Sequence, residues 1–557
     1  MSTIDTSPDT LAAPAAAVER TGVGRTVALG AFLASADHKV IGRMFIGTSV
    51  LALVGTAVLG ALLGIERIDG DAVLLDAGAL PQLFTGFRLA LVYGVLVPFL
   101  LGVAVAIVPL QLGARALAFP RLAAAGFWGW LAGLVLLVIS LAGNGGPLGG
   151  DPDMVDLFLA AHVLVVLGLA AAATSVATTV LTTRAPGMRM RRVPFFSWSA
   201  LVASIGLLLV LPVIVGTLIY LFVDHRNARA AFGGNAGIAA WLGFAWTQPT
   251  TYLFALPAVG LAAELIPVTF RRRMPLRGVV YTGLALVGAA AFAGVTQQAG
   301  FVVPWSGSQL NLGGLGQKIE DLVPYVLFML VPLLGVLVVM GVGALAAKPN
   351  KGGPRPRLTA PFVFSFFGVG MILVGMLGGV LSPIADLGLQ GTVFEEASLV
   401  YVAYGGALAG LGAVAYWLPK WAGVVVADIP AIGLATLGVL ATVLASFPHY
   451  LAGFADQPAA AGQFDNDGPS ALWNGAVTAG HALMALVVVG FVGLVVKARR
   501  TGGEPVGSDP WEAHTLEWLT SSPAPAGNFP EPPTVMSPEP AYDLRAAPRD
   551  DRDEGAS

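Results

Sequence analysis

Twelve apolar stretches constrain this 557-residue chain more than any other feature of its sequence. A helix needs about 20 apolar residues to cross the hydrocarbon core of a bilayer. Each stretch reaches that length, so each predicts one membrane-spanning helix. The predicted spans are 41–64, 83–110, 123–143, 157–181, 197–223, 237–268, 277–300, 323–346, 360–383, 396–418, 428–454 and 472–496.

The composition agrees with a chain that lies mostly in lipid. Hydrophobic residues make up 56% of the sequence, charged residues only 11%, and the mean hydropathy is +0.78. A soluble protein could not cover its surface at that ratio. The predicted fold class is therefore an all-α integral membrane protein with a bundle of twelve helices. The chain has no cysteine, which excludes disulfides, iron–sulfur clusters and thiolate metal sites.

Both ends of the chain differ from the apolar middle. They are rich in Ala, Pro, Ser and acidic residues, a composition that predicts disordered or surface-lying tails. We therefore expect a disordered cytoplasmic N-terminal tail at 1–35, a membrane domain at 36–500 and a cytoplasmic Pro-rich C-terminal tail at 501–557.

The distribution of positive charge predicts the orientation. Of the 30 Lys and Arg residues, all but five fall in the even-numbered loops and the two tails. Positive side chains stay on the cytoplasmic side of a membrane, so we expect a multi-pass cell-membrane protein with both termini in the cytoplasm. The same rule explains why Lys and Arg residues cluster in these loops. The clusters therefore do not indicate nucleic-acid binding, and we expect no nucleic-acid partner. The five exceptions are Arg67, Arg88, Arg226, Arg229 and Lys318.

Distinctive motifs lie at the ends of the predicted spans. ADHKVIGRMFI (36–46) opens the first span, and IVPLQLGARALAFPRL (107–122) joins the second to the third. GGALAGLGAVAYWLPKWAG (405–423) covers the tenth, and DPWEAHTLEWLTSSPAPAGNF (509–529) lies in the C-terminal region. In this order and spacing they resemble subunit I of the heme–copper terminal oxidases, in particular the bacterial cytochrome c oxidase type with twelve helices. The resemblance extends over about 36–545.

That resemblance implies two hemes, a copper ion and a motif on the sixth helix. In the family the motif reads His-Pro-Glu-Val-Tyr: the His binds copper, the Glu relays protons, and the Tyr lies beside the oxygen-reducing centre. The matching residues here are Gln248, Pro249, Thr250, Thr251 and Tyr252. The proline and tyrosine are kept, whereas the metal ligand and the proton carrier are replaced.

The other histidines that the family uses as ligands are replaced as well. Phe87 matches the low-spin heme ligand on the second helix, and Gln297 with Gln298 match the copper pair on the seventh. Ser398 and Val400 match the axial heme ligands on the tenth helix. Hemes and copper need imidazole or similar donors, so we expect neither cofactor. The vestigial positions of the centre are Phe87, Gln248, Thr250, Tyr252, Gln297, Gln298, Ser398 and Val400.

The remaining titratable residues do not offer a substitute centre. Only His162, His449 and His481 of the six histidines fall in predicted spans, and we expect them at the outer membrane interface. The close acidic pair is Glu395 with Glu396, which point about 100° apart on a helix and cannot chelate one ion. We expect both at the interface. If either is buried, it must be protonated or paired, and it is then the best candidate for a proton site.

The spacing of Gln248 and Tyr252 predicts a contact between them. They are four residues apart and therefore lie on one face of a helix. We expect Gln297 and Gln298 to converge on the same interior region. The simplest interpretation is a hydrogen-bonded polar plug that fills the volume of a lost cofactor; a functional polar pocket is the alternative.

Three functions remain open from the sequence. The first is a degenerate oxidase subunit that acts as a partner or assembly component among other membrane subunits in the lipid bilayer. The second is an active cytochrome c oxidase that reduces oxygen and translocates protons. The third is a proton or small-molecule transporter that reuses the cavity, which the scarcity of polar residues in spans three, five and twelve disfavours.

Overall fold

The computed structural model describes residues 30, 34–68, 75–297, 322–348, 355–462, 464, 468–501 and 506–546. Within these ranges, twelve helices are long and apolar enough to cross a membrane, and a short helix α13 (Pro540–Ala546) follows. The twelve are α1 His38–Glu66, α2 Leu80–Gln111, α3 Pro120–Ala142, α4 Pro152–Thr182, α5 Phe195–Arg226, α6 Gly234–Thr269, α7 Arg277–Val295, α8 Leu322–Ala347, α9 Ala360–Leu381, α10 Val393–Ala422, α11 Asp428–Phe454 and α12 Ser470–Thr501.

Local sequence signals explain where several of these helices begin. Asp37 precedes α1, and its carboxylate accepts a hydrogen bond from the Lys39 amide at 2.9 Å. Asp151 caps α4 in the same way, with Pro152 at the first helical position. An acceptor at the cap satisfies amides that have no partner inside the helix, and proline has no amide to satisfy. Each predicted span thus corresponds to one helix, and the twelve-helix prediction is confirmed.

The helices form an inner group and an outer ring. Each helix contacts the next one along the chain, and α12 returns to contact α1. The most apolar segments of α2, α6 and α10 are 100% buried, compared with 33–56% for the other nine helices. Side chains on α2, α6 and α10 therefore lie in the interior of the bundle, and these helices carry most of the predicted site.

Two arginines show that successive loops alternate between the ends of the bundle. Arg271 follows α6 and pairs with Glu512 at 3.3 Å, at the end where the C-terminal segment lies. Arg226 ends α5 and pairs with Asp156 at 2.9 Å, near the beginning of α4. These residues lie at opposite ends, as the loop charges predict. That the basic end faces the cytoplasm stays a prediction.

The C-terminal segment 506–546 packs on the basic end of the bundle. Lys420, at the end of α10, is fully buried and donates hydrogen bonds to the carbonyls of Ser508 at 2.8 Å and Thr520 at 2.7 Å. Trp518 is also buried, with the Lys420 ammonium 4.8 Å from its ring centre. Apolar burial and these bonds join 506–546 to the compact unit Ala36–Ser557, so this part of the chain lies on the bundle, which is the surface-lying alternative of the two that its composition allows.

Two buried carboxyl groups lie where this segment meets the bundle: Glu517 of the segment and Glu264 of α6. Glu517 accepts hydrogen bonds at Oε1 from the Trp417 indole at 3.1 Å and the Gln111 amide at 3.2 Å. The same amide donates to Glu264 Oε1 at 2.6 Å. Burial raises the pKa of Glu517 above its ordinary value, because the charged form loses its hydration.

We expect alkaline pH to loosen the C-terminal segment. A carboxyl group whose pKa is raised by packing favours the packed state while protonated. That contribution is complete below the ordinary carboxyl pKa of about 4.3 and is lost as pH rises through the raised pKa. Limited proteolysis of the purified protein across pH should therefore cut 506–546 faster at higher pH. Glu517→Gln, which stays neutral, should weaken this dependence, and burial of Asp509 and Glu539, which raises the pKa of both, accounts for the part that remains.

Glu531→Gln is the matched control, since Glu531 is exposed in the same segment. It should keep the wild-type pH profile. An unchanged pH dependence in Glu517→Gln would show that another group controls the packing.

Candidate functional site

A break in α6 sets the position of Gln248. The helix runs through Gly234–Leu242, tightens at Gly243–Ala245 and resumes at Thr250–Thr269. Pro249 lies at the break, where its lack of an amide proton costs no helical hydrogen bond. The sequence pattern predicts one continuous span here and does not reveal the break.

Gln248 and Tyr252 meet as their spacing predicts. The Tyr252 hydroxyl donates to Gln248 Oε1 at 2.6 Å, and the Gln248 amide donates to the Gly375 carbonyl of α9 at 3.3 Å. Thr250 and Thr251 are fully buried beside them, and their hydroxyl groups have no hydrogen-bond partner among the described residues. The position of the family's copper ligand thus holds an amide that bonds to a neighbouring helix.

The glutamines of the seventh span do not join this pair in the described structure. The α7 helix ends at Val295, and Gln297 lies beyond it with a left-handed backbone (φ 57°). Its side chain is exposed and donates to the Thr217 hydroxyl of α5 at 2.8 Å. Gln298 lies outside the described residues. The expected convergence therefore holds for Gln248 and Tyr252, whereas Gln297 contacts α5 instead, because the helix ends before it.

Protein side chains fill the space around Phe87. Phe87 is buried, and its ring meets His481 of α12 edge to face, with 5.5 Å between ring centres. The His481 Nδ1 is hydrogen-bonded to the Tyr404 hydroxyl at 2.7 Å. A Cβ atom on Gly60 would lie 2.8 Å from both rings. His481 and α1 therefore pack directly against the Phe87 ring.

On α10, neither matched position offers a strong metal donor. Ser398 donates to the Phe394 carbonyl at 3.1 Å and is hydrogen-bonded to the Tyr450 hydroxyl at 3.1 Å. Val400 is buried and has no donor atom. The Ser398 hydroxyl is therefore used in hydrogen bonds within the protein, and Val400 has no atom that could bind a metal ion.

A small polar cavity lies beside two of the vestigial positions, Gln248 and Ser398. Its volume is about 70 Å³, enough for several water molecules but far below the roughly 300–1,000 Å³ of typical cofactor sites. The side chain of Arg88 forms part of the wall. The polar lining residues are Arg88, Thr247, Gln248, Ser382, Gln390, Glu395, Glu396 and Ser398.

Arg88 is the site residue that our sequence analysis missed. The signal was present, because Arg88 is a charged side chain inside the second apolar stretch. Ionisable groups within membrane spans are costly and mark functional sites by default. We counted it only as an exception to the charge rule.

The two acidic residues of α10 differ in their surroundings. Glu395 is exposed, as expected, and accepts from the Ser382 hydroxyl at 3.0 Å. Glu396 is only 5% exposed, and both of its oxygens accept from Arg67, at 3.0 and 3.1 Å. The expected interfacial position is therefore corrected for Glu396, which is buried and paired. The ion pair holds the carboxylate in place beside Arg67; that Glu396 is a proton site stays a prediction.

The three histidines of the spans are covered by neighbouring helices; their depth at the outer membrane interface stays a prediction. His449 Nε2 is hydrogen-bonded to Asn474 at 3.3 Å, and His481 is bound to Tyr404 as described above. His162 is fully buried, and both of its ring nitrogens lack a hydrogen-bond partner in the described part of the chain. Its ring stacks on Trp246 with 5.8 Å between ring centres. Hydropathy along the chain predicts how deep in the membrane a residue lies. It does not predict whether neighbouring helices cover that residue.

The described residues do not fit the cofactors that the resemblance implies. No three His, Asp or Glu side chains come close enough in the described ranges to hold a metal ion. Five of the six ligand positions are described, and they present Phe, Gln, Gln, Ser and Val. Aromatic and aliphatic carbons cannot bind a metal, and an amide oxygen is a poor substitute for imidazole.

Comparison with known proteins supports the resemblance across most of the chain. The family model of Cytochrome C and Quinol oxidase polypeptide I matches residues 40–483. The Putative cytochrome c oxidase subunit 1-beta of Streptomyces avermitilis is 30% identical, over 96% of this chain and 95% of its own length. The Cytochrome c oxidase subunit 1 of Corynebacterium glutamicum is 29% identical, over 92% of this chain and 88% of its own.

The Cytochrome c oxidase subunit 1 of Bacillus subtilis is similar over a comparable range, at 26% identity and 92% of this chain. The match of the family model over more than half of the chain, the extent of these similarities and the twelve-helix architecture agree. The chain therefore belongs to the family of cytochrome c and quinol oxidase polypeptide I, the subunit I family of the heme–copper oxidases.

Proposed function

We propose that this chain is a non-catalytic member of its family, which keeps the membrane fold without hemes or copper and acts as a partner or assembly component of a membrane complex. The observation that carries the proposal is the set of contacts at the ligand positions. Phe87 packs on His481, Gln248 bonds to Tyr252, and Val400 has no donor atom. We place the protein in the cell membrane, with both termini in the cytoplasm.

Loss of a single ligand would not support this proposal, because water or a neighbouring group can fill one coordination position. Here the replacements extend over α2, α6 and α10. The vestigial cavity of about 70 Å³ is also too small for a porphyrin. The chain nevertheless retains the packing of twelve helices. Selection for its fold and its surface best explains this retention, because a partner subunit contributes its fold and its surface to a complex.

The alternative is an active oxidase, because the relatives compared above are named as cytochrome c oxidase subunits. We expect the purified protein to show no Soret band, no stoichiometric heme or copper, and no oxygen uptake with reduced cytochrome c or quinol. An oxidase with known heme content, purified in the same detergent, controls for cofactor loss. A Soret band with near-unit heme content would overturn the proposal.

Restoring one ligand should not restore activity. Gln248→His returns an imidazole to the position that matches the copper ligand, yet the other positions still lack donors. We therefore expect Gln248→His to bind no stoichiometric copper and to take up no oxygen. The measurement is metal analysis after dialysis against copper. A copper-to-protein ratio near one in this variant would contradict the expectation.

The partner role can be tested separately. Purification of the full chain from its own membranes in mild detergent, after crosslinking, should recover defined membrane subunits in fixed ratio to it. Recovery of this chain alone would remove the support for a complex and would leave the transporter as the next candidate.

A further inference from the structure

A groove on the outer surface of the bundle lies between α1, α10 and α12, near the end where α1 begins and α12 ends. Its volume is about 240 Å³. The walls are apolar, and Val492 is 40% exposed, as suits a surface that faces lipid. Gly47 lies in the groove, and a Cβ atom built on it would meet nothing within 4 Å. The apolar wall consists of Ile46, Val50, Val414, Leu418, Phe491 and Val495.

Two arginines, Arg43 and Arg499, line this groove. Arg43 uses its Nε to donate to the Lys39 carbonyl of its own helix at 2.9 Å, and its terminal nitrogens make no hydrogen bond to the described residues. Arg499, in the last turn of α12, has no hydrogen bond or ion pair with any described residue. The Arg43 charge is attracted by the Asp37 carboxylate and repelled by Arg499, and such charge interactions are stronger near a low-dielectric surface than in water. The acid nearest along the chain, Asp37, lies 3.8 Å from the Lys39 ammonium.

An aromatic donor completes the wall of the groove. Trp421, at the end of α10, is only 9% exposed, and its indole N–H has no hydrogen-bond partner among the described residues. A buried donor without an acceptor is unfavourable. Tryptophan is also enriched at the level of the lipid headgroups, where its ring meets acyl chains and its N–H meets polar groups.

We propose that this groove binds one anionic phospholipid. The phosphate lies between Arg43 and Arg499, where it relieves their repulsion through charge-assisted hydrogen bonds. One acyl chain lies along the apolar wall past Gly47, and a headgroup oxygen accepts from Trp421. The site is independent of the proposed lack of cofactors, because it lies on the outside of the bundle and shares no residue with the vestigial centre.

The test is the thermal stability of the full-length protein in nanodiscs of phosphatidylcholine with increasing phosphatidylglycerol. We expect phosphatidylglycerol to raise the apparent Tm of the wild type. The double variant Arg43→Gln/Arg499→Gln should bind this lipid about 10- to 30-fold more weakly. Arg500→Gln removes a neighbouring exposed charge that does not line the groove, and it should respond like the wild type. Equal responses of the double variant and Arg500→Gln would overturn the proposal.

A second variant tests the place of the acyl chain without changing charge. Gly47→Leu fills the groove, whereas Gly493→Leu adds the same side chain at another open position on α12. Only Gly47→Leu should lose the phosphatidylglycerol effect. Inorganic phosphate should not reproduce the stabilisation in detergent. If it does, or if Gly47→Leu keeps the effect, the groove binds a free anion and the lipid assignment is wrong.

Discussion

Replacing Glu396 with Gln is expected to lower the free energy of unfolding by about 3–5 kcal/mol. The change leaves Arg67 buried without its counter-charge. The side chains of Arg67 and Glu396 are only 3% and 4% exposed, and their two charge-assisted bonds are 3.0 and 3.1 Å long. An unpaired charge in such a place costs far more than the loss of an exposed ion pair. The measurement is the apparent Tm in detergent, compared at one scan rate because membrane proteins often unfold irreversibly.

Glu395→Gln is the matched control, since Glu395 is the adjacent residue of α10 and is exposed. We expect a change within about 0.5 kcal/mol there. The double variant Arg67→Met/Glu396→Met should recover part of the loss, because replacing both charges removes the unpaired ion. If Glu396→Gln is as stable as Glu395→Gln, the pair does not hold α10 to the loop after α1.

The second large effect is expected from Gly368→Ala, at the closest approach of α9 and α10. A Cβ atom on Gly368 would lie 2.5 Å from the Gly405 carbonyl oxygen and 2.8 Å from the Ala409 amide nitrogen. Backbone atoms cannot move aside as a side chain can, so the helices must separate. Small residues allow such contact between membrane helices, and overpacking a tight contact typically costs about 1–3 kcal/mol.

Gly370→Ala is the control on the same helix, because a Cβ atom there would meet nothing within 4 Å. This variant should be neutral or slightly more stable, since alanine favours helix over glycine by up to about 1 kcal/mol. Apparent Tm values and resistance to denaturation in SDS give the comparison. A Gly368→Ala protein as stable as Gly370→Ala would show that α9 and α10 are not in direct backbone contact.

Much of the fold could be predicted because membrane insertion depends on contiguous sequence. The tenth predicted span, 396–418, lies inside the observed Val393–Ala422, and the first, 41–64, lies inside His38–Glu66. The seventh prediction, 277–300, overran Val295. This difference matters for the site, because the predicted span includes Gln297, whereas the observed helix ends before that residue.

The candidate site could be predicted only in part. The contact of Gln248 with Tyr252 follows from a spacing of four residues on one helix. The partner of Ser398 could not be predicted, since Tyr450 lies 52 residues later on α11. Nor could the partner of Glu396, since Arg67 lies 329 residues earlier. No local pattern connects such residues.

The sequence by itself determined the number of helices, the alternation of basic loops, the family and the replacement of its ligand residues. Each of these depends on residue identity or on hydropathy summed along a continuous segment. Only the tertiary structure decided that His162 is buried, that Arg88 lines a cavity and that 506–546 packs on the bundle. These outcomes depend on the rotation and depth of each helix against its neighbours, which are fixed by packing among side chains distant in the chain.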